Sequence, residues 1–347
     1  MERKEKEKKE ETEDGEEEEE EEEEKEKEKE KEKEETEGGE EEKEKGKATP
    51  PPPKKINQQQ QQELDEFLRD RERVYRERRE RVAQVCEREG PQVSYGSVRE
   101  APLHRLRWLH SHRLVMCFNA KVGTSTWTQY LVEVAEPGLL SNSSHWHYTA
   151  QRVLKPPYRR TSQQALDLLD KSGKVIMVRH PFARIVSAYK DKIVTRSFKK
   201  LSKFIITKYR PASSSNNDDY PVPSFKEFVE YLVDFSTPSD DVRDKRNSRT
   251  NRHWFHYYAN CAVCDIHYDV IGKMESVHED TRYIMEKFKL GLSDSVWNNH
   301  RGKKSSEDAA LAMFKEVPRA LTVALYQRYR LDFEMFGYNI TNFLAPS

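Results

Sequence analysis

A lysine, a glycine and three consecutive hydroxyl residues lie between a short apolar run of the sequence and a predicted helix start. Backbone N–H groups at a helix start, hydroxyls and an ammonium group can all bind the same anion. The composition of this loop therefore predicts a phosphate-binding cradle. Its candidate residues are Lys121, Val122, Gly123, Thr124, Ser125 and Thr126.

The order of residues in this loop differs from that of a Walker A loop. The Walker pattern places its lysine directly after a glycine, whereas here Lys121 precedes Gly123. A purely structural role is the alternative, in which Thr124 or Ser125 only caps the following helix. The loop by itself does not decide between the two.

A second polar segment follows another apolar run and begins at Arg179. Pro181 suits the first turn of a helix, so Arg179 leaves the tip of a strand while Ser187 lies two helical turns further on. The planar fork of an arginine and the hydroxyl of a serine can together bind a terminal phosphate. We expect Arg184 and Lys190 to be surface charges of the same helix.

The two apolar runs, 113–118 and 175–178, have the composition of β-strands. Each is followed by residues with helical periodicity, at 126–134 and 182–192. Strand, loop and helix, repeated, predict an α/β fold with a central parallel sheet flanked by helices. Both loops then lie beyond the carboxyl ends of strands, where ligands of such sheets bind. Further helices are predicted at 224–235, 278–288 and 307–329.

Charge is distributed unevenly along the 347 residues. Residues 1–47 hold 27 acidic and 13 basic residues, which leaves 35 acidic and 48 basic residues in 48–347. The Glu/Lys segment and the proline and glutamine tracts behind it have little to bury, so residues 1–62 are predicted to be a disordered tail. The basic remainder favours an anionic partner.

Behind this tail, residues 63–97 are predicted to form a helical stem, followed by a folded domain over 98–347. Apolar residues recur at steps of three and four between Leu64 and Val85, which predicts a charged amphipathic helix over 63–88 with solvent-facing arginines. No run of the sequence approaches the roughly 18 to 20 apolar residues that cross a bilayer, and its first residues do not form a signal-peptide pattern.

The sequence contains four cysteines, Cys86, Cys117, Cys261 and Cys264. Together with His256 and His267, the last two would complete a set of four zinc ligands, but their spacing matches no standard zinc finger. A redox-active pair would need a helix start after a strand. Structural disulfides are favoured, and the sequence leaves their connectivity open.

The two loops resemble the donor-binding motifs of Golgi carbohydrate sulfotransferases, which use 3′-phosphoadenosine 5′-phosphosulfate (PAPS). Residues 121–127 are similar to the 5′-phosphosulfate loop, and residues 179–189 are similar to the 3′-phosphate motif. The nearest match is the sulfotransferase 2 family, which includes the chondroitin and dermatan 4-O-sulfotransferases and the enzyme of the HNK carbohydrate epitope. Similarity extends from about Cys86 to Phe343, with further agreement at 251–254, 261–275 and 325–338.

The resemblance implies a P-loop-like sulfotransferase fold and PAPS-dependent transfer of a sulfuryl group to a sugar hydroxyl, with no metal. Lys121 and the loop residues through Thr126 would hold the 5′-phosphosulfate, and Arg179 and Ser187 would hold the 3′-phosphate. The acceptor would be an anionic glycan. We favour the 4-hydroxyl of N-acetylgalactosamine in chondroitin or dermatan over the 3-hydroxyl of a terminal glucuronic acid or an N-glycan galactosamine.

A sugar hydroxyl that attacks sulfur benefits from a general base, and histidine is the usual candidate. His147 lines up best with a histidine of related sulfotransferases, so we take His147 and Lys121 as the catalytic residues. His145 and His253 are the alternatives for the base. His253 with Trp254 is also predicted to shape the acceptor cleft. Glu275 is predicted to be a structural acid that pairs with a basic neighbour. The basic run at 301–306 would cover the nucleotide or contact a polyanionic glycan, with a solvated loop as the alternative.

The sequence departs from the family pattern in two places. Ala120 stands where the family has proline, and Thr124-Ser125 replaces a Cys or Ser, but neither change removes a phosphate-binding group. Family members are type II Golgi membrane proteins with an apolar anchor ahead of the stem, a place taken here by the Glu/Lys tract. The resemblance therefore implies the Golgi lumen or membrane, where Asn142 and Asn339 would be glycosylation sites.

Two other classes of function share part of this evidence. A P-loop kinase would use the same cradle chemistry, but the Walker lysine position and a clear metal-binding acid are missing. A non-enzymatic basic module that binds glycans or nucleic acid would account for the charge. It would not require hydroxyl-rich loops at two strand tips, and the sequence contains no nucleic-acid-binding motif.

Overall fold

The computed structural model describes residues 57–139, 146–156, 162–211, 222–234, 251–291 and 306–344, with the backbone alone at 146–148 and 306. Within them, one sheet is formed by β1 (Leu106–Leu109), β2 (Leu114–Cys117), β3 (Gly173–Val178) and β4 (Val270–Lys273). The helices are α1 (Gln58–Glu89), α2 (Thr124–Ala135), α3 (Trp146–Val153), α4 (Gln163–Asp170), α5 (Pro181–Ala188), α6 (Lys199–Tyr209), α7 (Phe225–Asp234), α8 (Tyr257–Asn260), α9 (Val277–Lys287), α10 (Ser306–Phe314), α11 (Arg319–Phe336) and α12 (Thr341–Leu344).

The sheet has the order β1-β2-β3-β4, in which β2, β3 and β4 are parallel and β1 is antiparallel to β2. Parallel strands in the middle of a sheet are covered on both faces, which explains why all of β2 and the last four residues of β3 are buried. The predicted α/β fold with a central, mostly parallel sheet is confirmed. Sequence analysis did not identify β1 and β4, because each has only four residues and is interrupted by Arg107 or Gly272.

Two predicted helices end differently in the structure. The helix predicted over 307–329 is divided into α10 and α11, because Pro318 has no amide hydrogen to donate and disfavours helical geometry at the residue before it. The helix predicted over 182–192 consists of α5 and a π-helical turn, Tyr189–Val194. Such π segments are frequent at functional sites.

Helix α1 covers the segment for which a charged amphipathic helix is predicted. Its apolar face carries the buried residues Tyr75, Val82 and Val85 and packs against α11 and β4. The expectation that its arginines face solvent is wrong for Arg71 and Arg78, whose side chains are only 15% and 16% exposed. Both guanidinium groups bind the buried carboxylate of Asp280.

Two apolar clusters stabilise the fold. The larger one surrounds the sheet and includes the buried face of α1. The second lies among α5, α7, α10 and α11, where Phe182, Phe228 and Phe333 are fully buried. Because α5 starts directly after β3 and is anchored in this second cluster, the loop between them has a fixed position. None of the helices in the described ranges is long and apolar enough to cross a membrane.

Candidate functional site

The two predicted anion-binding loops meet at one edge of the sheet. Strands β2 and β3 are parallel neighbours, and their last residues, Cys117 and Val178, lead directly into the two loops. The Nη1 atom of Arg179 donates a hydrogen bond to the carbonyl oxygen of Lys121 over 3.3 Å. The structure therefore brings together the two loops that sequence analysis assigned to separate phosphates.

The first loop turns sharply because two of its residues adopt a left-handed backbone conformation. The φ angles of Lys121 and Gly123 are 70° and 74°. Glycine adopts this conformation without steric cost, whereas a lysine in it is strained by roughly 1 to 2 kcal/mol. Strain of this kind clusters at ligand-binding and active sites.

Helix α2 begins directly after Gly123. The first bond to the carbonyl oxygen of Gly123 comes from the amide of Trp127 over 3.0 Å, so the amides of residues 124–126 precede the first helical hydrogen bond. The hydroxyl of Thr124 donates to the carbonyl oxygen of Asn119, and no side chain caps the helix. The capping role considered for Thr124 or Ser125 is therefore not found. This helix start is suited to an anion.

The ammonium group of Lys121 reaches the π turn behind α5. Its Nζ atom lies 2.9 Å from Oδ2 of Asp191, and Nζ of Lys192 lies 3.8 Å from the same oxygen. Burial alone would raise the pKa of the Asp191 carboxyl, but Lys121 and Lys192 outweigh burial and hold this pKa below its usual value. Sequence reasoning missed Asp191, although the triplet of residues 190–192 places an acid between two lysines.

Arg179 is held in place through its backbone. Its amide donates to the hydroxyl oxygen of Tyr257 over 3.1 Å, and its carbonyl oxygen accepts from the same hydroxyl over 3.2 Å. Its buried Nε atom has no hydrogen-bond partner among the described residues. Burial lowers the pKa of the guanidinium. A buried cationic donor in this situation is stabilised by an anion. Ser187 lies on α5 and is partly exposed.

Arg184 is buried rather than exposed, which corrects the expectation of a surface charge. Its side chain is 1% exposed, and its guanidinium donates to the carbonyl oxygens of Ala120, Phe255 and Arg252. It also lies 4.3 Å from the centre of the Tyr257 ring. A buried cation needs such acceptors because an uncompensated buried charge is very costly. Lys190, the other residue expected at the surface, is exposed.

His253 lies within electrostatic range of the Lys121–Asp191 pair. The residue is 9% exposed, and its Nδ1 atom has no hydrogen-bond partner within the described residues. Burial, followed by the charges of Lys192, Arg252 and Lys121, lowers the pKa of His253 to about 3, against a smaller opposite effect of Asp191. Its imidazole is therefore neutral at physiological pH.

Trp254 does not offer the aromatic face that sequence analysis expected in an acceptor cleft. Its side chain is 1% exposed and packs in the second apolar cluster, with the ring of Phe228 at 5.3 Å. Its carbonyl oxygen accepts a hydrogen bond from the hydroxyl of Tyr329 over 2.6 Å. A large apolar ring is more stable in the core than in water, and this contribution outweighs its suitability for stacking on a sugar.

Several predicted site residues lie outside the described part of the chain. His145, Asn142 and the basic run 301–305 are among them, and His147 lies in α3 with only its backbone described. Their assignments remain predictions. The other glycosylation candidate, Asn339, is exposed just before α12.

The four cysteines form two disulfides. Cys86 is bonded to Cys264, and Cys117 is bonded to Cys261. All four sulfurs are therefore unavailable as thiolates, which excludes the zinc site considered for Cys261 and Cys264. The Cys117 bond fixes the end of β2, and the Sγ atom of Cys261 accepts a hydrogen bond from the amide side chain of Asn119 in the first loop over 3.1 Å.

Glu275 supports the second loop from the end of β4. One of its oxygens accepts a hydrogen bond from the amide of His180 over 2.8 Å, and the other accepts from the hydroxyl of Tyr338 over 2.8 Å. Its hydrogen-bond partners are thus a backbone amide and a phenol, rather than the basic neighbour that sequence analysis expected for a structural acid.

Comparison with known proteins gives matches across this region. Residues 104–339, more than half of the chain, match the model of the Sulfotransferase family. Carbohydrate sulfotransferase 11 of Mus musculus is 28% identical over 246 residues, or 67% of this chain and 66% of the relative, just under two thirds of its length. The Danio rerio protein of the same name is 29% identical over 282 residues, or 78% of each chain. Carbohydrate sulfotransferase 10 of Xenopus laevis is 28% identical over 284 residues, also 78% of each. No solved structure matches the chain significantly.

Proposed function

The chain belongs to the sulfotransferase family, and on this premise we propose that it transfers a sulfuryl group from PAPS to a hydroxyl of a carbohydrate. The observation that carries the proposal is the contact between the two loops, in which Arg179 donates to the carbonyl oxygen of Lys121. A donor that has phosphate groups at both ends of one nucleoside needs two anion-binding loops at a short distance from each other.

The residues at the sheet edge fit such a donor. Lys121, the amides at the start of α2 and the hydroxyl residues through Thr126 would bind the 5′-phosphosulfate. Arg179, whose buried Nε atom has no partner among the described residues, would bind the 3′-phosphate together with Ser187. PAPS supplies the activated sulfuryl group. The protein contributes orientation and a positive charge near the leaving phosphate, which Lys121 provides.

We further propose an anionic glycan as the acceptor, with the 4-hydroxyl of N-acetylgalactosamine in chondroitin or dermatan as the preferred group. The excess of basic residues in 48–347 supports a polyanionic acceptor, since a positive surface raises the rate of encounter with it. The names of the relatives specify carbohydrate but no particular sugar. Terminal glucuronic acid and N-glycan galactosamine are the other acceptors to test.

The Golgi lumen is the proposed location. Two disulfides link segments 178 and 144 residues apart in the sequence, which is typical of proteins that fold in an oxidising compartment. The exposed sequon at Asn339 is compatible with the same route.

The test is transfer of radiolabelled sulfate from PAPS to a panel of desulfated glycans, with disaccharide analysis of the product. Lys121→Gly removes the ammonium group while its backbone keeps an allowed φ, and we expect transfer to fall by about 100-fold or more. Lys289→Gly is the matched control, since Lys289 is an exposed lysine with a φ of 54°. Unchanged transfer in Lys121→Gly would overturn the assignment. Glycan binding without transfer by the wild type would favour the non-enzymatic glycan-binding module.

A further inference from the structure

Four charged side chains from three segments act electrostatically on His253. Lys121 comes from the first loop, Asp191 and Lys192 from the π turn behind α5, and Arg252 from the residue preceding His253. The Asp191 carboxylate contacts Lys121 directly and also acts electrostatically on His253. This carboxylate therefore links the lysine of the donor loop to a histidine that sequence analysis assigned to the acceptor cleft and, as a base, only to the alternatives.

The imidazole of His253 is fixed in position yet retains hydrogen-bonding capacity. The ring of Phe198 packs against it edge to face, with 5.8 Å between ring centres, and the backbone amide of His253 donates to the side chain of Asn251 over 3.0 Å. Nδ1 of His253 is a buried ring nitrogen without a partner in the described ranges. A buried polar atom of this kind is costly to the fold unless a ligand or water satisfies it.

We propose that His253 is the general base of sulfuryl transfer and that Asp191 is a positioning residue that couples this base to Lys121. The inference rests on the proposed function. It replaces His147 as the candidate base and gives a role to Asp191, which sequence analysis did not identify.

The charges explain how the base would depend on the donor. The neighbouring cations together with burial keep the imidazole neutral, which is the form that accepts a proton. Cations near an imidazole lower its pKa and thereby make it a weak base. The phosphosulfate bound at Lys121 would place negative charge next to these cations and raise the pKa of His253, since opposite charges at short distance favour the protonated form. Asp191 acts in the same direction from its fixed place on the π turn.

The step is balanced in atoms and charge. His253 accepts the proton of the sugar hydroxyl while the hydroxyl oxygen forms its bond to sulfur. The bond between sulfur and the bridging oxygen of the 5′-phosphate breaks, and its electron pair remains on that phosphate oxygen, whose added charge Lys121 stabilises. The imidazolium then releases its proton to solvent. Asp191 is a poor alternative base, because its pairing with Lys121 holds its pKa below the usual value despite burial.

The first experiment separates base catalysis from donor binding. In His253→Gln we expect kcat to fall by about 100-fold to 10,000-fold, while the affinity for 3′-phosphoadenosine 5′-phosphate, measured by calorimetry, changes by less than about threefold. His278→Gln, at an exposed histidine on α9, is the matched control. His147→Gln is tested in parallel. A large loss of kcat in His147→Gln, with His253→Gln unaffected, would overturn the inference while leaving the proposed function intact.

The second experiment tests the coupling through Asp191. Asp191→Asn removes a negative charge that raises the pKa of His253, so this pKa falls and the acidic limb of the kcat profile moves to lower pH. Asp191→Glu should return the acidic limb of the kcat profile to its wild-type pH. Asp170→Asn, at an exposed acid of α4, should leave that limb where it is in the wild type.

The pKa of His253 can be measured directly, with and without bound nucleotide, and this measurement does not depend on turnover. In NMR spectra of histidine-labelled protein, saturating 3′-phosphoadenosine 5′-phosphate should raise the pKa of His253 by about 1 or more. A pKa of His253 that does not respond to this nucleotide would contradict the coupling, even in a protein that transfers sulfate normally. Absence of transfer by the wild type to every glycan would instead refute the proposed function.

Discussion

A single buried guanidinium, that of Arg184, connects three segments around the candidate site. Its donors reach the carbonyl oxygens of Ala120, Arg252 and Phe255, and its planar face lies over the ring of Tyr257. The first of these carbonyls precedes Lys121, and the second precedes His253. The position of Lys121, which is proposed to bind the donor, relative to His253, the proposed base, therefore depends on Arg184. Arg184 acts on both through backbone carbonyl groups.

Replacing Arg184 should reduce both stability and donor binding. Arg184→Met removes the donor from three carbonyl groups, of which that of Phe255 is in a fully buried hydrogen bond, and we expect a loss of about 3 to 5 kcal/mol in the free energy of unfolding. Arg184→Lys should have an intermediate effect, because an ammonium group cannot reproduce the planar fork. Urea unfolding measures stability, and calorimetry with 3′-phosphoadenosine 5′-phosphate measures binding. Arg319→Met, at an exposed arginine, should stay within about 0.5 kcal/mol of the wild type. A similarly small effect of Arg184→Met would contradict this role.

The contrast between Arg179 and Arg184 shows which site residues were predictable. The residues of an anion-binding loop are neighbours in the sequence. An apolar strand followed by Lys121 or Arg179 can therefore be recognised from the sequence without knowing the fold. The role of Arg184 depends on carbonyl groups that are distant in sequence and reach it only after folding. Its one local signal is that every other residue of α5 except Ser187 is apolar, which leaves little solvent-exposed surface for a charge. Asp191 was missed because a π turn shifts it from its helical position.

At the scale of elements, one buried carboxylate makes several of the polar contacts between α1 and the rest of the protein. Asp280, at the start of α9, is 0% exposed and accepts hydrogen bonds from Arg71, Tyr75 and Arg78 of α1. Its Oδ2 atom also accepts from the amide of Lys273, the last residue of β4, over 2.7 Å. The helix predicted as a solvated stem thus makes buried polar contacts with the end of the sheet.

Asp280→Asn should loosen this attachment. A neutral amide leaves two largely buried guanidinium groups without their counter-charge, which costs about 3 to 5 kcal/mol in comparable buried pairs. We expect faster hydrogen exchange over α1 and earlier tryptic cleavage among its arginines. The control is Asp70→Asn, since the side chain of Asp70 is 65% exposed and pairs with Arg73 on the same helix. Equal exchange over α1 in the two variants would show that the contacts of Asp280 do not hold the helix.

The strands and helices differ in how well sequence analysis located them. β2 and β3 were recognised because strands covered on both faces are continuously apolar. β1 and β4 are short, and their strand geometry is set by pairing with β2 and β3 rather than by their own residues. Pro318 explains why α10 ends and α11 begins near this residue. The prediction of one helix over 307–329 relied on periodicity and did not take this proline into account.

At the scale of the whole molecule, residues 251–268 form the segment on which the other parts converge. The Cys117–Cys261 bond connects it to the end of β2, and the Cys86–Cys264 bond connects it to α1. From α11, the carboxylate of Asp332 accepts hydrogen bonds from the amides of Tyr257 and Tyr258 over 2.9 and 3.2 Å. This segment has little regular secondary structure, so crosslinks and buried polar contacts determine its conformation.

The two disulfides should therefore differ in their effect on catalysis, although each closes a long loop. Bonds of this separation stabilise by about 2 to 5 kcal/mol, so removing either pair by double Cys→Ser substitution should lower the midpoint of urea unfolding. Loss of Cys117–Cys261 frees the first loop relative to His253, and we expect sulfate transfer to fall at least about tenfold, since small displacements of reacting groups are costly. Loss of Cys86–Cys264 frees α1, which carries no proposed site residue, and should affect stability more than kcat. Transfer rates measured well below the unfolding midpoint separate the two effects. An equal fall in kcat for both double variants would mean that the crosslinks act only through global stability.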